Sequence, residues 1–348
     1  MAGLASMKLL SDLVAENGGT IPDNYVRPPS DRPNLHEVET LRVSIPVIDL
    51  QGLKGSSRHE VVKAIGMACE SDGFFQVKNH GIPESVIERM LHVSKEFFQL
   101  PERERMRCYS SDPMKETRLS TSFNVNTEKV RSWRDYLRLH CYPLEDFVHD
   151  WPSNPPSFRD DVGEYCKNAR ELALRLLEAI SESLGLQGDS MSMALGSKHA
   201  QHMAINYYPP CPQPELTYGL PGHKDPNVIT ILLQDGVPGL QVLRNGKWVA
   251  VDAGRGELVI NIGDQMQVLS NGRYKSILHR AIVNSTTERI SIPTFYSPSP
   301  DAVIKPPESL VGASHPALYR SYSYAEYYAK FWSQGLNTES CLDMFKAM

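Results

Sequence analysis

The spacing of apolar residues in the first half of the chain is mostly helical. Residues 58–70, 84–99 and 159–186 each repeat apolar positions every three to four residues, as one face of an amphipathic helix does. The third segment is the longest, and it predicts a deeply packed helix whose interior face is formed by Leu172, Leu174, Leu176, Leu177 and Ile180. The first half is therefore expected to be rich in helices.

After residue 200 the pattern changes to short apolar or alternating runs, which Gly, Asn, Asp and Pro separate. The runs are HMAINYYP, NVITILLQ, GLQVLR, KWVAV, ELVINIG, ILHRAIVN, RISIPTFY and AVIKP. Short strands with regular turn signals favour an all-β sandwich or barrel. Asn245-Gly246 lies between two of these runs and predicts a two-residue hairpin, because both turn residues must adopt positive φ. A helical pattern over residues 322–336 follows the strands.

Composition and charge argue against several classes of function. The 348 residues carry a net charge of -5 without clustered Lys or Arg, so neither a nucleic-acid nor a membrane partner is expected. The six cysteines form no C-x-x-C pair, so free thiols are expected. Leu9, Leu10, Leu13 and Val14 predict an amphipathic N-terminal helix rather than a signal peptide. The expectation is a monomeric, cytoplasmic protein that is able to diffuse into the nucleus.

A candidate metal site lies in the strand-rich half. The sequence GHKDPN places His223 and Asp225 two residues apart, and alternate side chains of an extended chain share one face. His279, in the run ILHRAIVN, adds a second imidazole. Two imidazoles and one carboxylate are the facial triad that holds iron(II) and leaves positions open for a co-substrate and O2. Each residue alone is weak evidence, and the prediction rests on their combination.

A candidate anion site follows the metal site. Arg289 and Ser291, in RISIPTF, are two residues apart on a predicted strand and therefore share a face. Arginine presents a planar fork that matches a carboxylate, and serine adds a hydroxyl donor. An isolated arginine at a strand end would be a solvated charge. Its position shortly after His279 predicts an anion anchor among the same strands as the metal ligands.

With these motifs the chain resembles the plant 2-oxoglutarate- and iron(II)-dependent dioxygenases along nearly its whole length. The runs IPVIDL and SDGFFQVKNHGIP resemble the N-terminal region of that family, and INYYPPCPQPE, GHKDPN and RIS resemble its catalytic half. The resemblance implies a mainly β fold with surrounding helices. Residues 196–348 would form a distorted double-stranded β-helix, or cupin-like jelly roll, with a C-terminal helix. Residues 1–195 would form an α-rich region that packs on it.

The resemblance also implies roles for individual residues. His223, Asp225 and His279 would bind Fe(II), while Arg289 and Ser291 would hold the distal carboxylate of 2-oxoglutarate. The enzyme would also require O2, with ascorbate as reductant, and no catalytic side chain is expected beyond the metal centre. The other expected participants are Asn206 and Tyr208 beside the co-substrate, Phe295 against an aromatic substrate, and Phe123, Trp133, Arg134 and Tyr136 as candidates for the lid and wall.

The surroundings of the centre are expected to be apolar. A dry wall would keep water away from the reacting groups and hold their positions. The strand residues that are expected to form this wall are Ile229, Ile231, Leu233, Val259 and Ile260.

Sequence detail within the family favours one group of substrates. The segments ELTYGLPGHKDPN, SWRDYLRLHCYPLE and CLDMFK are similar to the salicylate hydroxylase and flavone synthase branch, which includes the downy-mildew-susceptibility oxygenases. The expected substrate is a small plant phenolic, with salicylic acid placed first. Flavanone oxidation, of the flavone synthase or flavanone 3-hydroxylase type, is the alternative. Ala204 stands where many flavonol- and anthocyanidin-forming relatives have lysine, which disfavours those two activities.

Two other classes of protein remain as alternatives at this point. A non-catalytic jelly-roll module could bind a small ligand, but the triad and the anion anchor would then have no role. A zinc hydrolase could use the same strands, although zinc prefers His-rich tetrahedral sites and Arg289-x-Ser291 would be unexplained. Metal content and O2 consumption distinguish these alternatives.

Overall fold

The computed structural model describes residues 8–17, 19–35, 45–125, 128–252, 254, 256–336 and 340–347. The helices are α1 (Leu10–Asn17), α2 (Arg58–Ser71), α3 (Glu84–Gln99), α4 (Glu102–Arg105), α5 (Leu144–Phe147), α6 (Phe158–Ser183), α7 (Ser190–Ala194), α8 (Asp264–Leu269) and α9 (Tyr324–Gln334). The strands are β1 (Val47–Asp49), β2 (Phe74–Lys78), β3 (Arg118–Thr121), β4 (Asp135–His140), β5 (Ala200–Tyr208), β6 (Leu220–His223), β7 (Ile229–Gln234), β8 (Leu240–Arg244), β9 (Lys247–Ala250), β10 (Leu258–Ile262), β11 (His279–Ala281), β12 (Arg289–Ser297), β13 (Val303–Ile304) and β14 (Tyr322–Ser323).

Two sheets carry the architecture. The larger has eight strands in the order β1-β2-β10-β7-β12-β5-β4-β3, and the smaller has four in the order β6-β11-β8-β9. The pairing is antiparallel except between β1 and β2. Among the described strands no pairing closes the two sheets into a barrel. The expected mainly β jelly roll with surrounding helices is confirmed in this open form.

The first part of the chain also contributes strands to this fold. β1 to β4 supply half of the large sheet, and β4 pairs with β5 along its whole length. Four strands from before residue 195 therefore share one sheet with four strands from after it. The division into an α-rich region of residues 1–195 and a jelly-roll region of residues 196–348 therefore stays a prediction.

Alternation along β7 and β10 decides which side chains face the interior between the sheets. Thr230 and Leu232 line a cavity there, and Val259 packs beside Leu232. The residues in between point the other way, into the core beneath the helices. The expected wall is therefore wrong for the four residues that pack in that helical core, namely Ile229, Ile231, Leu233 and Ile260.

The long helix α6 packs against α2 and α3 over the large sheet. Leu172, Leu176 and Ile180 are fully buried on the face that meets these neighbours. Leu174 is 36 % exposed, so the expectation that it packs deeply is wrong. At 3.6 residues per turn, a position two residues from Leu172 and Leu176 lies on the opposite side of the helix.

Leu176→Ala is expected to lower the free energy of unfolding by ~2–5 kcal/mol, because it leaves a cavity in a fully buried site. Leu174→Ala removes the same atoms from an exposed site and should change it by no more than about 0.5 kcal/mol. Urea unfolding followed by circular dichroism measures both values. Equal losses in the two variants would contradict the assignment of the buried face.

Within the described ranges, no helix is both long enough and apolar enough to cross a bilayer.

Candidate metal centre and adjoining pockets

His223, Asp225 and His279 come together where the small sheet meets the large one. His223 ends β6, His279 begins β11, and the two residues are cross-strand partners. Asp225 Oδ1 lies 3.7 Å from His223 Nε2 and 3.6 Å from His279 Nε2. One ligand atom from each residue lies within 4.8 Å of the others, and all three residues are buried. The spacing and residue types fit a single bound metal ion.

Backbone hydrogen bonds orient the two imidazoles. Nδ1 of His223 donates to Pro221 O at 2.9 Å, and Nδ1 of His279 donates to Ile277 O at 3.2 Å. With the proton on Nδ1, each Nε2 presents its lone pair toward Asp225. Burial, with a smaller contribution from His279, lowers the pKa of His223 to about 3. The imidazole of His223 is therefore neutral at physiological pH, as a metal ligand must be.

The carboxylate of Asp225 is held by two donors. Its Oδ2 accepts hydrogen bonds from Thr230 Oγ1 at 2.5 Å and from Asn261 Nδ2 at 2.8 Å. Burial acts to raise the pKa of Asp225, but the two histidines and these donors outweigh it and bring the pKa below its usual value. Oδ2 is thus occupied by protein donors, and Oδ1 faces the imidazoles.

Thr230→Val is expected to weaken metal binding by roughly 10- to 100-fold, the usual effect of removing a group that orients a ligand. Valine keeps the shape of threonine but cannot donate to Asp225. Anaerobic titration with Fe(II), or with Mn(II) as a redox-stable substitute, measures the dissociation constant. Thr230→Ser keeps the hydroxyl and should retain most of the affinity, whereas wild-type affinity in Thr230→Val would exclude this role.

Arg289 lies at the other end of the same interior and is 3 % exposed. Its Nε donates to Val237 O at 3.0 Å, and its Nη2 donates to Gln234 Oε1 at 2.6 Å. Nη1 is buried and has no acceptor among the described residues. A Cβ at Gly239 would lie 2.7 Å from Nε, so glycine is what gives the guanidinium its room. A fixed fork with an unused donor fits an incoming carboxylate.

The other predicted co-substrate residues surround Arg289. On β5 and β12, Tyr208 pairs with Arg289 and Asn206 pairs with Ser291. Asn206 Nδ2 donates to Ser291 Oγ at 3.2 Å, and the guanidinium lies 5.0 Å from the centre of the Tyr208 ring. These four residues line a cavity of about 540 Å³ together with all three residues of the triad. The arrangement suits a short dianion that reaches from Arg289 to the metal site.

A second cavity, of about 770 Å³ including its mouth, lies on the other side of His223 and Asp225. We call this cavity the substrate compartment and the smaller one the co-substrate compartment. The residues that line both are Arg134, Leu220, His223, Asp225 and Phe295. Phe123 and Tyr136 line the substrate compartment, so the three predicted substrate residues, counting Phe295, all reach it.

Trp133 does not reach either compartment, although it was a candidate for the wall. Its Nε1 donates to Pro209 O at 3.0 Å, and its ring packs edge-on to Tyr25 in a separate apolar cluster. Trp133 and Arg134 are neighbours in the segment just before β4, and Trp133 packs in the separate cluster while Arg134 lines both compartments. Of the four candidates for the lid and wall, Trp133 is therefore the one that the structure does not bring to a compartment.

The helix α9 supplies a wall that sequence reasoning missed. The side chains that this helix and the residues after it contribute to the substrate compartment are Tyr324, Tyr328, Phe331, Trp332 and Leu336. Trp332 stacks on Phe123, with ring centres 4.7 Å apart and planes 9° apart. The signal in the sequence was the aromatic spacing of YAEYYAKFW, which marks one face of a helix but not what that face contacts. Arg138 and His202 also line this compartment and were missed.

Comparison with known proteins agrees with this geometry. Residues 199–298 match the 2OG-Fe(II) oxygenase superfamily, and residues 45–157 match the N-terminal region described as non-haem dioxygenase in morphine synthesis. The chain is 58% identical over 346 residues to DMR6-LIKE OXYGENASE 2 of Arabidopsis thaliana, covering 99% of each. It is 55% identical over 340 residues to Flavanone 3-dioxygenase 2 of Oryza sativa subsp. japonica, covering 97% of each.

Among solved structures, the crystal structure of JOX2 in complex with 2OG, Fe and JA superposes with a TM-score of 0.88. It is 35% identical and covers 98% of both chains. The fold and the paired compartments thus define a non-haem oxygenase, and the chain belongs to the 2OG-Fe(II) oxygenase superfamily. It is an enzyme that uses Fe(II) and 2-oxoglutarate, in the branch that contains the DMR6-like oxygenases. The non-catalytic module and the zinc hydrolase are therefore set aside.

Proposed function

We propose that the protein hydroxylates a small phenolic acid, and that salicylic acid is its substrate. His223, Asp225 and His279 hold Fe(II) in this proposal, and Arg289 and Ser291 hold the distal carboxylate of 2-oxoglutarate. The choice of an acidic substrate rests on the charge of the substrate compartment.

The substrate compartment has an excess of positive charge. Arg134 and Arg138 line it, and Asp225 is the only acid among its described lining residues. Asp225 faces the two imidazoles and is therefore committed to the metal site. Neither arginine forms an ion pair within the described part of the chain. An anionic substrate is favoured in such a pocket, because few water molecules screen the charges there.

The residues of the chain mainly bind, orient and exclude water. Bound Fe(II) would activate O2, the oxidant, so that one oxygen atom enters the substrate and the other enters succinate as 2-oxoglutarate loses CO2. Arg289 neutralises the far carboxylate of the co-substrate and fixes its direction. Phe295 separates the two compartments and offers a ring face or edge to an aromatic substrate. The stacked pair Phe123 and Trp332 covers the compartment on another side.

A flavanone is the second candidate substrate. One relative at 55% identity is a flavanone 3-dioxygenase, and the substrate compartment has a largely aromatic lining that suits a substrate with aromatic rings. A flavanone carries no carboxylate, however, so the two arginines would have no anion to bind. This observation ranks salicylic acid first.

Succinate release with matched substrates tests the proposal. Purified protein with Fe(II), ascorbate and 2-oxoglutarate is given salicylate, salicylamide, naringenin or no substrate, and His223→Ala serves as the control. We expect salicylate to stimulate succinate release and to yield a dihydroxybenzoate, with a weaker effect of salicylamide because it lacks the negative charge. Stimulation by naringenin but not by salicylate would replace the proposal with the flavanone alternative.

A further inference from the structure

Arg134 is a buried arginine at the junction of the two compartments. It is 6 % exposed and lines both of them, together with His223 and Asp225. No carboxylate pairs with it among the described residues. Arg289 also lines the co-substrate compartment and has no carboxylate partner among the described residues, and in the proposed function 2-oxoglutarate supplies one there. Neither the described residues nor the co-substrate supply such a carboxylate for Arg134.

The guanidinium of Arg134 is fixed from three sides. Nε donates to Ser122 O at 2.9 Å, and Nη1 donates to Asn206 Oδ1 at 2.8 Å. The plane stacks on Tyr136, with Cζ 4.7 Å from the ring centre. Nη2 is the remaining nitrogen, and no described residue accepts a hydrogen bond from it. Arg134 therefore presents one pre-oriented donor pair to the interior.

This arrangement is costly without an anion. Moving a charge out of water has a desolvation cost, and hydrogen bonds to neutral oxygens offset only part of that cost. A carboxylate at Nη2 would supply both the missing charge and the missing acceptor. Because Arg134 lines both compartments and its Nη2 has no acceptor among the described residues, it is suited to bind an anionic ligand there.

The position of Arg134 also selects which anion it binds. In a one-ring substrate the carboxylate is separated from the oxidised carbon by no more than the ring itself, so the anchor must lie near the metal ligands. Arg134 satisfies this requirement because it shares both compartments with His223 and Asp225. Arg138 lines only the substrate compartment, where its Nη2 already donates to the carbonyls of Pro113 and Lys115.

The geometry points to Arg134 as the residue that binds the carboxylate of the substrate and so determines which edge of the ring faces the metal. This inference rests on the proposed function, since it assumes that the substrate is an aromatic acid. Arg134 then determines both the preference for an acid over its amide and the position of the new hydroxyl group.

Binding and product analysis on variants of the full chain test this role. Anaerobic calorimetry with Fe(II) and 2-oxoglutarate gives the dissociation constants of salicylate and salicylamide for wild type, Arg134→Gln, Arg134→Lys and Arg138→Gln. We expect Arg134→Gln to weaken salicylate binding by roughly 10- to 100-fold, as the loss of a buried charged hydrogen bond does. Salicylamide and 2-oxoglutarate should bind nearly as before. Arg134→Lys should restore part of the loss, and Arg138→Gln should have a smaller effect.

Other outcomes would overturn the inference. If Arg134→Gln keeps the preference for salicylate over salicylamide, or if only Arg138→Gln loses it, the carboxylate binds elsewhere. If Arg134→Gln weakens salicylate, salicylamide and 2-oxoglutarate equally, Arg134 only positions Asn206. If wild type does not oxidise salicylate, the proposed function fails. The dissociation constants of benzoate and benzamide for wild type and Arg134→Gln then test the role of Arg134 separately. In that case an unchanged preference for benzoate in Arg134→Gln would refute its role.

Discussion

Asp225→Ala is expected to abolish 2-oxoglutarate turnover, with succinate release falling to the level of protein without metal. The carboxylate is the only anionic member of the proposed ligand set, and it lies between both imidazoles at 3.6–3.7 Å. Its removal deletes a ligand and leaves Thr230 and Asn261 donating into an empty site. Removing a group that merely orients a ligand costs about 10- to 100-fold in metal affinity, and removing the ligand itself should cost at least as much.

The matched control for this experiment is Asp301→Ala. Asp301 is an exposed carboxylate in a turn and lines neither compartment. Its variant should keep wild-type turnover and wild-type Fe(II) binding. Substantial turnover in Asp225→Ala would mean that the metal is held by other residues, and the proposed triad would then be wrong.

Arg289→Gln is expected to raise the KM for 2-oxoglutarate by about 30-fold or more. Truncating one partner of a buried, hydrogen-bonded charge pair costs ~2–5 kcal/mol, and each 1.4 kcal/mol is tenfold in affinity. Steady-state succinate release at varied 2-oxoglutarate measures the change. Arg273→Gln removes a half-exposed arginine that lines neither compartment and should leave KM unchanged.

A change of co-substrate shows whether the effect belongs to the distal carboxylate. A 2-oxo acid with the distal carboxylate replaced by a methyl group should be a poor co-substrate for wild type. Arg289→Gln should use 2-oxoglutarate no better than wild type uses this analogue, and should discriminate little between the two acids. If the variant still strongly preferred 2-oxoglutarate, another residue would have to bind its distal carboxylate.

Local chemistry made several parts of the fold predictable. Asn245 and Gly246 have φ values of 50° and 78°, and they join β8 to β9 in the predicted hairpin. The helical spacing over residues 84–99 corresponds to α3, which runs over the same residues. In these segments a turn requirement or a continuous apolar stripe is sufficient to predict the element, because the pattern is complete within the segment and does not depend on a partner that is distant in sequence.

Other elements could not be predicted because their partners are distant in sequence. The strand β6 has four residues, too few for an alternation pattern, although it carries His223. His223 was found through its chemistry and its spacing from Asp225, and not through its strand. The strand β4 is held by β5, more than sixty residues later, so its sequence did not stand out as a strand.

The inward face of a strand was the least predictable feature. Trp133 and Arg134 are adjacent residues just before β4, and only contacts with distant parts of the chain decide which of them lines the pocket. The same ambiguity explains why Ile229 and Ile231 were assigned to the wrong side of β7. It also explains why the aromatic face of α9 was missed as a pocket wall, since its contact with Phe123 joins segments far apart in the chain.

The most direct test of the proposed centre is a crystal structure of the protein with a metal ion and 2-oxoglutarate, in which anomalous scattering locates the metal. We expect one metal ion bound by Nε2 of His223, Nε2 of His279 and a carboxylate oxygen of Asp225. The distal carboxylate of 2-oxoglutarate should contact Nη1 of Arg289 and the hydroxyl of Ser291. A metal ion bound by other residues, or a co-substrate whose distal carboxylate lies away from Arg289, would contradict the proposed site.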